Sequence, residues 1–273
     1  MVINPDQIAE IILECVESYI LPRYKALESH EISSKSGPND LVTQADLDVE
    51  AHLSRVLPSL LPGSLVVGEE GVSQGAVSLD ALHQTERPVW VVDPVDGTYN
   101  FVHGRPGFGV MLACIVNGEI QAGWIYEIIG QNMLIAERGS GAFGNGERLA
   151  VDRSADIPQM QGHMSLKFFP PDFREPIKAA AGAAHISSIT PICCASEYLR
   201  IATGRSHFSL YNRLKPWDHM AGILIAREAG AHVAKWDATP PRASEYDVGL
   251  LVAPDEEKWH ALHKIFIEPL EAL

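Results

Sequence analysis

The chain has 273 residues, of which 46% are hydrophobic and 21% charged, a composition that excludes a disordered protein. Its net charge of −14 opposes binding to phosphate backbones, so we expect no nucleic-acid partner. No apolar run approaches ~18 residues and no signal-peptide pattern is present, so no membrane association is expected. The four cysteines lack C-x-x-C spacing and are expected to be free thiols of a cytoplasmic protein.

The first 150 residues predict helices packed on an antiparallel sheet. Apolar residues at helical spacing predict a helix over residues 5–21, and a second helix is expected over about 44–57, before Pro58. Residues 29–40 are polar and rich in Ser, Gly and Pro, which is typical of a loop. The predicted strands are Leu65–Val67, Val89–Val92, the hairpin pair Val110–Val116 and Ile120–Ile125, Met133–Ala136 and a glycine-rich stretch within 139–146.

Beyond about residue 150, helices and strands are predicted to alternate. The predicted helices are Ile177–Ala184, Ala195–Thr203 and Trp217–Ala229, and the predicted strands are Ala231–Lys235 and Val248–Val252. The chain is therefore expected to be of the α/β (α+β) class. We expect an α+β subdomain with an antiparallel sheet over residues 1–150 and an α/β subdomain over residues 151–273.

Two of the predicted strands run directly into acidic residues, at the strand ends where open sheets place ligands. One leads to Glu69, and the next leads to Asp93, with Asp96 three residues further on. Carboxylate oxygens are the ligands that Mg²⁺ prefers. These strand ends are therefore candidates for a cation site.

The D-P-V-D-G-T segment places an anion site directly beside these carboxylates. Pro94 fixes the backbone between the two aspartates, and Gly97 and Thr98 offer backbone N–H groups. Cation ligands next to a phosphate cradle indicate metal-assisted phosphoryl transfer. A capped turn is the alternative, since Asp-Pro and Asp-Gly are common turn dipeptides.

Two further segments carry acids that fit the same chemistry. Asp218 begins the helix in W-D-H-M-A-G-I-L, where an ordinary helix N-cap is the alternative. The segment K-S-G-P-N-D-L-V-T-Q-A-D contains Lys35, Asp40, Thr43 and Asp46. By itself, either Asp40 or Thr43 would be interpreted as the cap of the next helix.

Together these segments resemble the inositol monophosphatase family of magnesium-dependent, lithium-sensitive phosphatases. The resemblance rests on D-L-V-T-Q-A-D (40–46), G-E-E (68–70), W-V-V-D-P-V-D-G-T-Y-N-F (90–101) and W-D-H-M-A-G-I-L-I-A-R-E-A-G-A (217–231). It implies a layered α/β/α/β/α sandwich of the inositol monophosphatase/fructose-bisphosphatase type, a homodimer, and two or three Mg²⁺ ions per site. Residues 1–150 would carry most metal ligands, and residues 151–273 would contribute Asp218 and the substrate rim.

The resemblance also implies a role for each matching residue. One Mg²⁺ would be held by Glu69, Asp93 and the Val95 carbonyl oxygen, and a second by Asp93, Asp96 and Asp218. The backbone N–H groups of Gly97 and Thr98 would bind phosphate. Asp46 would orient the Thr98 hydroxyl, which with Glu69 would position the attacking water. Lys35 and Asp40 would belong to a mobile loop that closes over the site.

The sequence departs from this family at the expected substrate rim. Inositol-specific members carry an acidic residue six positions before the W-D tryptophan, where this chain has Tyr211. Arg213 adds a cation near the same rim and would suit a second anionic group on the substrate, although a solvated surface arginine is the alternative. We therefore expect relaxed selectivity for polyols, with inositol 1-phosphate not clearly the best substrate.

The predicted function is hydrolysis of a small phosphate monoester, such as a sugar, polyol or related metabolite phosphate, by a two-metal-activated water. A haloacid-dehalogenase-type phosphatase is disfavoured, because the D-L-D-V run at 46–49 does not follow a buried apolar strand. A catalytically minor regulatory protein of the same fold that binds a protein partner is the remaining alternative. Cys193, Cys194 and Ser196 are expected to be structural, since this chemistry needs no side-chain nucleophile.

Overall fold

The structure is a computed structural model that describes residues 3–35, 37–83, 86–190, 192–246 and 248–270. Its α-helices are α1 (Pro5–Cys15), α2 (Gln44–Leu60), α3 (Glu69–Ser73), α4 (Thr98–Val102), α5 (Pro171–Ala183), α6 (Cys194–Ala202), α7 (Pro216–Glu228) and α8 (Glu256–Phe266). Its strands are β1 (Ile32–Ser34), β2 (Leu41–Thr43), β3 (Leu65–Gly68), β4 (Val89–Asp96), β5 (Gly109–Val116), β6 (Glu119–Glu127), β7 (Asn132–Glu137), β8 (Gly141–Gly144), β9 (Glu147–Arg148), β10 (Gln161–Met164), β11 (Ser187–Ile189), β12 (Phe208–Tyr211), β13 (His232–Lys235) and β14 (Leu250–Ala253).

The larger sheet has seven strands in the order β3-β4-β5-β6-β7-β8-β9. All neighbouring pairs are antiparallel except β3 and β4, which run parallel. The antiparallel prediction is therefore wrong for this one pair. A parallel pair needs a crossover connection, and the segment between these strands, which includes α3, provides it. As a result, the carboxyl ends of β3 and β4 lie at the same edge of the sheet.

The smaller sheet has five strands in the order β11-β10-β12-β14-β13. Strand β10 runs parallel to β11 and β12, whereas β14 runs antiparallel to β12 and β13. A separate two-stranded ribbon pairs β1 with β2 in the N-terminal region.

Buried side chains connect the two sheets and three helical layers into one stack. Helices α1 and α2 pack on one face of the seven-stranded sheet, around Trp90 and Trp124. Helices α6 and α7 fill the space between the two sheets, where Met220 and Ile223 are buried. Helices α5 and α8 cover the outer face of the five-stranded sheet, around Trp259. The order of layers is α/β/α/β/α, as the family resemblance implies.

Several element boundaries differ from the predictions. Helix α2 continues past Pro58 to Leu60, and Leu61 still donates to the Leu57 carbonyl, so proline removes one hydrogen bond without ending the helix. The predicted loop over 29–40 contains β1. The helix predicted over residues 5–21 is α-helical to the end of α1 and then continues as a π-turn over Val16–Ile20 and a 3₁₀ turn over Leu21–Arg23. Among the described residues, no helix combines the length and apolar character needed to cross a membrane.

Candidate active site

Strand β4 brings Asp93 and Asp96 to one cavity. Residues three apart on a regular strand point to opposite faces of a sheet. The register between β4 and β5 shifts between these two aspartates, and such an irregularity re-aims side chains. Both side chains are buried, at 1% and 8% exposure, and both line a cavity of about 680 Å³. The prediction ended this strand at Val92, whereas the strand continues through the acidic segment to Asp96.

The turn after β4 requires a glycine. Gly97 has φ +85°, in the left-handed region, and a Cβ there would lie 2.7 Å from the Gly107 carbonyl oxygen and 3.1 Å from the Cys193 Cβ. A larger residue at this position would therefore be strained and crowded. Gly97 precedes the short helix α4, whose first residue is Thr98. Both residues line the cavity.

Asp46 connects the start of α2 to this turn. Thr43 is the N-cap of α2, and its backbone N–H and its hydroxyl both donate to Asp46 Oδ2, at 2.8 and 2.5 Å. The other carboxylate oxygen, Oδ1, accepts from the Thr98 hydroxyl at 3.2 Å. That hydroxyl also lies 2.9 Å from the Val95 carbonyl oxygen. Asp46 is thus a buried capping residue inside a helix, which is not the strand-end setting of a dehalogenase-type nucleophile.

Glu69 and Glu70 begin α3 at the end of β3. Lys35 Nζ donates to Glu69 Oε1 and to Glu70 Oε1, at 2.7 Å each. Burial opposes the charge on Lys35, but the two carboxylates outweigh it and raise the pKa of this lysine. Glu50 of α2 accepts from the backbone N–H groups of Glu70 and Gly71, at 2.8 and 2.6 Å. Glu50 thereby fixes the turn that presents Glu69 to the cavity.

Asp218 approaches from α7 on the second half of the chain. The N-cap position of α7 is Lys215, which has no side-chain capping bond, so Asp218 lies in the first turn and is not the cap. It lines the same cavity as Asp93 and Asp96. Asp96 in turn accepts from the backbone N–H groups of Ala195, at 2.6 Å, and Cys194, at 3.4 Å. These contacts tie the acidic end of β4 to the start of α6.

The carboxylates concentrate negative charge in a buried space. Burial raises the pKa of Asp93 well above its usual range, and the charges of Glu69, Asp96 and Asp218 raise it further. Burial likewise raises the pKa of Asp218, with Glu69 and Asp96 adding to the effect. Among the described residues, no ion pair joins a cation to Asp93, Asp96 or Asp218, and Lys35 pairs with Glu69 and Glu70.

This donor set fits Mg²⁺. The carboxylates of Glu69, Asp93, Asp96 and Asp218 are hard oxygen donors, and their mutual repulsion is what a divalent cation relieves. Cys194, Asp218 and His219 also place ligand atoms within 4.8 Å of one another. Thiol and imidazole ligands suit zinc rather than magnesium, so Asp218 is the one member of that group that fits a magnesium site.

The remaining predicted residues differ in their relation to this cavity. Asp40 lines the cavity itself, and Lys35 lines an adjoining groove of about 970 Å³. The exposed guanidinium of Arg213 lies 5.6 Å from the centre of the Phe168 ring and borders the same groove. Tyr211 is 3% exposed and packs in the core against His219, with ring centroids 4.6 Å apart. It lines a small recess of about 50 Å³ beside Asp218 rather than the main cavity.

Some residues that line the cavity were not predicted, because they lie in segments with only weak sequence patterns. Lys167 and Phe168 lie in a 3₁₀ turn after β10 and line the cavity. Glu197 of α6 also lines it, and burial raises the pKa of this residue to about 7. In the sequence, the signal for Glu197 was an acid in the first turn of a predicted helix. Such a position is equally typical of an acid that is favoured by the helix dipole.

The chain resembles known phosphatases over nearly its whole length. Residues 6–271 match the inositol monophosphatase family. The fructose-1,6-bisphosphatase/inositol-1-monophosphatase of Thermotoga maritima is 31% identical over 213 residues, which cover 78% of each chain. The inositol-1-monophosphatase of Mesorhizobium japonicum is 33% identical over 250 residues, covering 88% of this chain and 87% of the relative. The solved structure of a T. maritima IMPase has a TM-score of 0.82 at 25% identity, covering 98% of both chains.

The layered fold and the carboxylate-lined cavity define the class of metal-dependent phosphatases. The chain belongs to the inositol monophosphatase family, and it is a phosphoric monoester hydrolase. The sequence prediction of family, fold and enzyme class is thereby confirmed.

Proposed function

We propose that the protein hydrolyses a small sugar, polyol or related metabolite phosphate monoester in a Mg²⁺-dependent reaction. The observation that carries this proposal is the meeting of Asp93, Asp96 and Asp218 in one cavity, beside the Gly97-Thr98 turn. Bound Mg²⁺ ions would supply charge neutralisation and a water of lowered pKa. The residues that would hold them are Glu69, Asp93, Asp96, Asp218 and the Val95 carbonyl.

The phosphate would lie against the turn that follows β4. Backbone N–H groups of Gly97 and Thr98 are suitable donors for phosphate oxygens, and no bulky side chain at position 97 blocks their approach. Catalysis of phosphoryl transfer depends mainly on positioning and on stabilising charge.

The attacking water would be positioned by Thr98 and Glu69. Asp46 accepts from the Thr98 hydroxyl, so the oxygen of that hydroxyl can accept a hydrogen bond from the water. Thr43 holds the Asp46 carboxylate with two donors, which keeps the relay oriented. In this proposal Asp46 is a positioning residue, and Glu69, which lines the same cavity, would contact the water directly.

The substrate would be chosen at the rim formed by Arg213, Lys167 and Phe168. Both cations line the groove that borders the cavity, and they would favour a substrate with a second anionic group. The T. maritima relative named for both fructose-1,6-bisphosphatase and inositol-1-monophosphatase supports including a bisphosphate among the candidates.

A phosphate-release assay over a substrate panel tests this function. The panel contains myo-inositol 1-phosphate, glycerol 2-phosphate, fructose 1,6-bisphosphate and phenyl phosphate, each with excess Mg²⁺ and with excess chelator. We expect Mg²⁺-dependent release from at least one member of the panel. Lithium inhibition is expected from the family resemblance. Release that is equal with and without chelator would contradict the metal-dependent proposal.

A further inference from the structure

Glu197 lies in the wall of the cavity and carries a carboxylate oxygen without a hydrogen-bond partner among the described residues. The residue lies in the first turn of α6, is 2% exposed, and lines the same cavity as Asp96. Its Oε2 atom is fully buried and has no hydrogen-bond partner among the described residues. A buried acceptor without a partner is costly and uncommon in native proteins. Its position beside the cavity therefore calls for a partner that enters the cavity.

Two further polar atoms without partners lie in the same part of the core. The hydroxyls of Tyr211 and Ser209, both on β12, are buried and have no hydrogen-bond partner among the described residues. The Tyr211 hydroxyl is close enough to favour the ionised form of Glu197, but the two groups do not complete a hydrogen bond. The Ile192 backbone also favours the ionised form of Glu197, and Oε2 is the oxygen of this carboxylate that remains without a partner among the described residues.

Lys167 is the cation that could satisfy Glu197 from within the chain. It lines the same cavity and favours the ionised carboxylate electrostatically. Within the described ranges, however, no ion pair joins it to Glu197, and its Nζ lies 4.6 Å from the centre of the Phe168 ring. The Glu197 oxygen consequently remains without a partner.

We propose that Glu197 forms a hydroxyl-binding subsite, in which its carboxylate accepts a hydrogen bond from a hydroxyl of the leaving group. The inference rests on the proposed function, because the phosphate bound near Gly97 places the alcohol part of the ester in this cavity. Glu197 supplies a carboxylate from α6, whereas position 211 on β12 carries only a neutral phenol. Polyol and sugar phosphates are the substrates that this subsite recognises.

The test compares substrates that have and lack hydroxyls on the leaving group. For Glu197→Gln and wild type, kcat/KM is measured with myo-inositol 1-phosphate, glycerol 2-phosphate and phenyl phosphate. A hydrogen bond to a charged acceptor corresponds to about 10- to 100-fold in kcat/KM. We expect a loss of that size for at least one polyol phosphate and less than about twofold change for phenyl phosphate.

Glu127→Gln is the matched control. Glu127 is also buried, at 8% exposure, but its carboxylate accepts from Gly130 and Asn132 and does not line the cavity. It should leave the ratio of polyol to phenyl phosphate turnover unchanged. If Glu197→Gln fails to fold, Glu197→Asp, which keeps the charge and withdraws the oxygen, is expected to reduce the same ratio by a smaller factor.

The outcomes separate this inference from the function on which it rests. Wild type that releases no phosphate from any ester contradicts the proposed function. Active wild type with Glu197 variants that lose both substrate classes equally, or lose neither, overturns the subsite alone. Failure of both Glu197 variants to fold would assign this residue to the core and would also overturn it.

Discussion

Asp93, Asp96 and Asp218 keep their carboxylates where burial disfavours ionisation, and burial together with neighbouring carboxylates raises the pKa of all three. A protein gains nothing in stability from such an arrangement without a partner for the charge. The natural explanation is function, because a divalent cation binds most strongly where uncompensated oxygen donors converge. The convergence of these three carboxylates therefore makes this site a candidate metal centre.

Asp93→Asn tests the charge at the centre of the cluster. The amide keeps the size of the side chain and removes one negative charge that the proposed ions share. We expect kcat to fall by at least ~10³-fold, in the range seen when a main electrostatic stabiliser is removed, with the circular dichroism spectrum unchanged. Cys193→Ser is the control, and it should retain activity. A folded, inactive Cys193→Ser enzyme would show that the centre has been misassigned.

Arg213→Ala tests the rim. The side chain is exposed and borders the groove beside the cavity, so its removal should not disturb the core. We expect KM to rise about 5- to 20-fold for fructose 1,6-bisphosphate, because one charge-assisted contact is lost, and to change less than about twofold for glycerol 2-phosphate. Equal changes for both substrates would return Arg213 to the role of a solvated surface residue.

At the scale of elements, the sequence predicts best where local patterns agree with the fold. The hairpin at Asn117-Gly118 and the strands around it are found as predicted, since turn chemistry and apolar runs coincide there. Strands β10, β11 and β12 and helix α8 were not predicted. The first three are only three or four residues long, and their pairing depends on segments far away in the chain.

The same difference separates the predicted residues of the candidate site from those that were not predicted. Glu69, Asp93, Asp96 and Asp218 were identifiable because they occur in motifs with characteristic spacing. The wall residue Glu197 was not, because its significance depends on packing between α6 and β12. Such contacts between distant segments leave no short-range signal in one sequence.

Gly97→Ala tests the turn that would bind phosphate. The substitution adds a Cβ at φ +85°, 2.7 Å from the Gly107 carbonyl oxygen. Gly139→Ala is the matched control, with φ +79° and no atom within 4 Å of the added Cβ. Both should lose about 1 kcal/mol from backbone strain, measured by denaturant unfolding, and Gly97→Ala should lose more because its Cβ is also crowded. Only Gly97→Ala should also lose most activity, and equal activity of the two variants would contradict the role of this turn.

For the molecule as a whole, the carboxylate cluster predicts that stability depends on pH and on bound metal together. Burial raises the pKa of Asp46 and of Glu70 to about 7. In the metal-free protein these groups therefore reduce stability increasingly as the pH rises from their ordinary values near 4 to about 7. Burial lowers the pKa of His163 to about 4 and the pKa of His219 to about 3. These two histidines therefore reduce stability as the pH falls below their ordinary pKa of ~6.5.

Comparing Tm with and without Mg²⁺ isolates the carboxylates from the histidines. Metal binding requires deprotonated ligands, so the increase in Tm on adding Mg²⁺ should be larger at pH 8 than at pH 5. A difference of several degrees is expected, since ~1 kcal/mol corresponds to roughly 2–4 °C in a domain of this size. An increase that is independent of pH, or larger at pH 5, would contradict the assignment of the cluster as the metal site.

In our proposal, the two halves of the molecule meet to form one Mg²⁺-dependent phosphatase site, to which β4 and α7 contribute acids from distant parts of the chain. The most direct test is phosphate release by wild type, Asp93→Asn and Asp218→Asn over a titration of Mg²⁺ after treatment with chelator. The claim predicts no release without metal, restoration by Mg²⁺ in wild type, and loss of at least ~10³-fold in both variants. Full activity of wild type in excess chelator, or of Asp218→Asn with Mg²⁺, would contradict it.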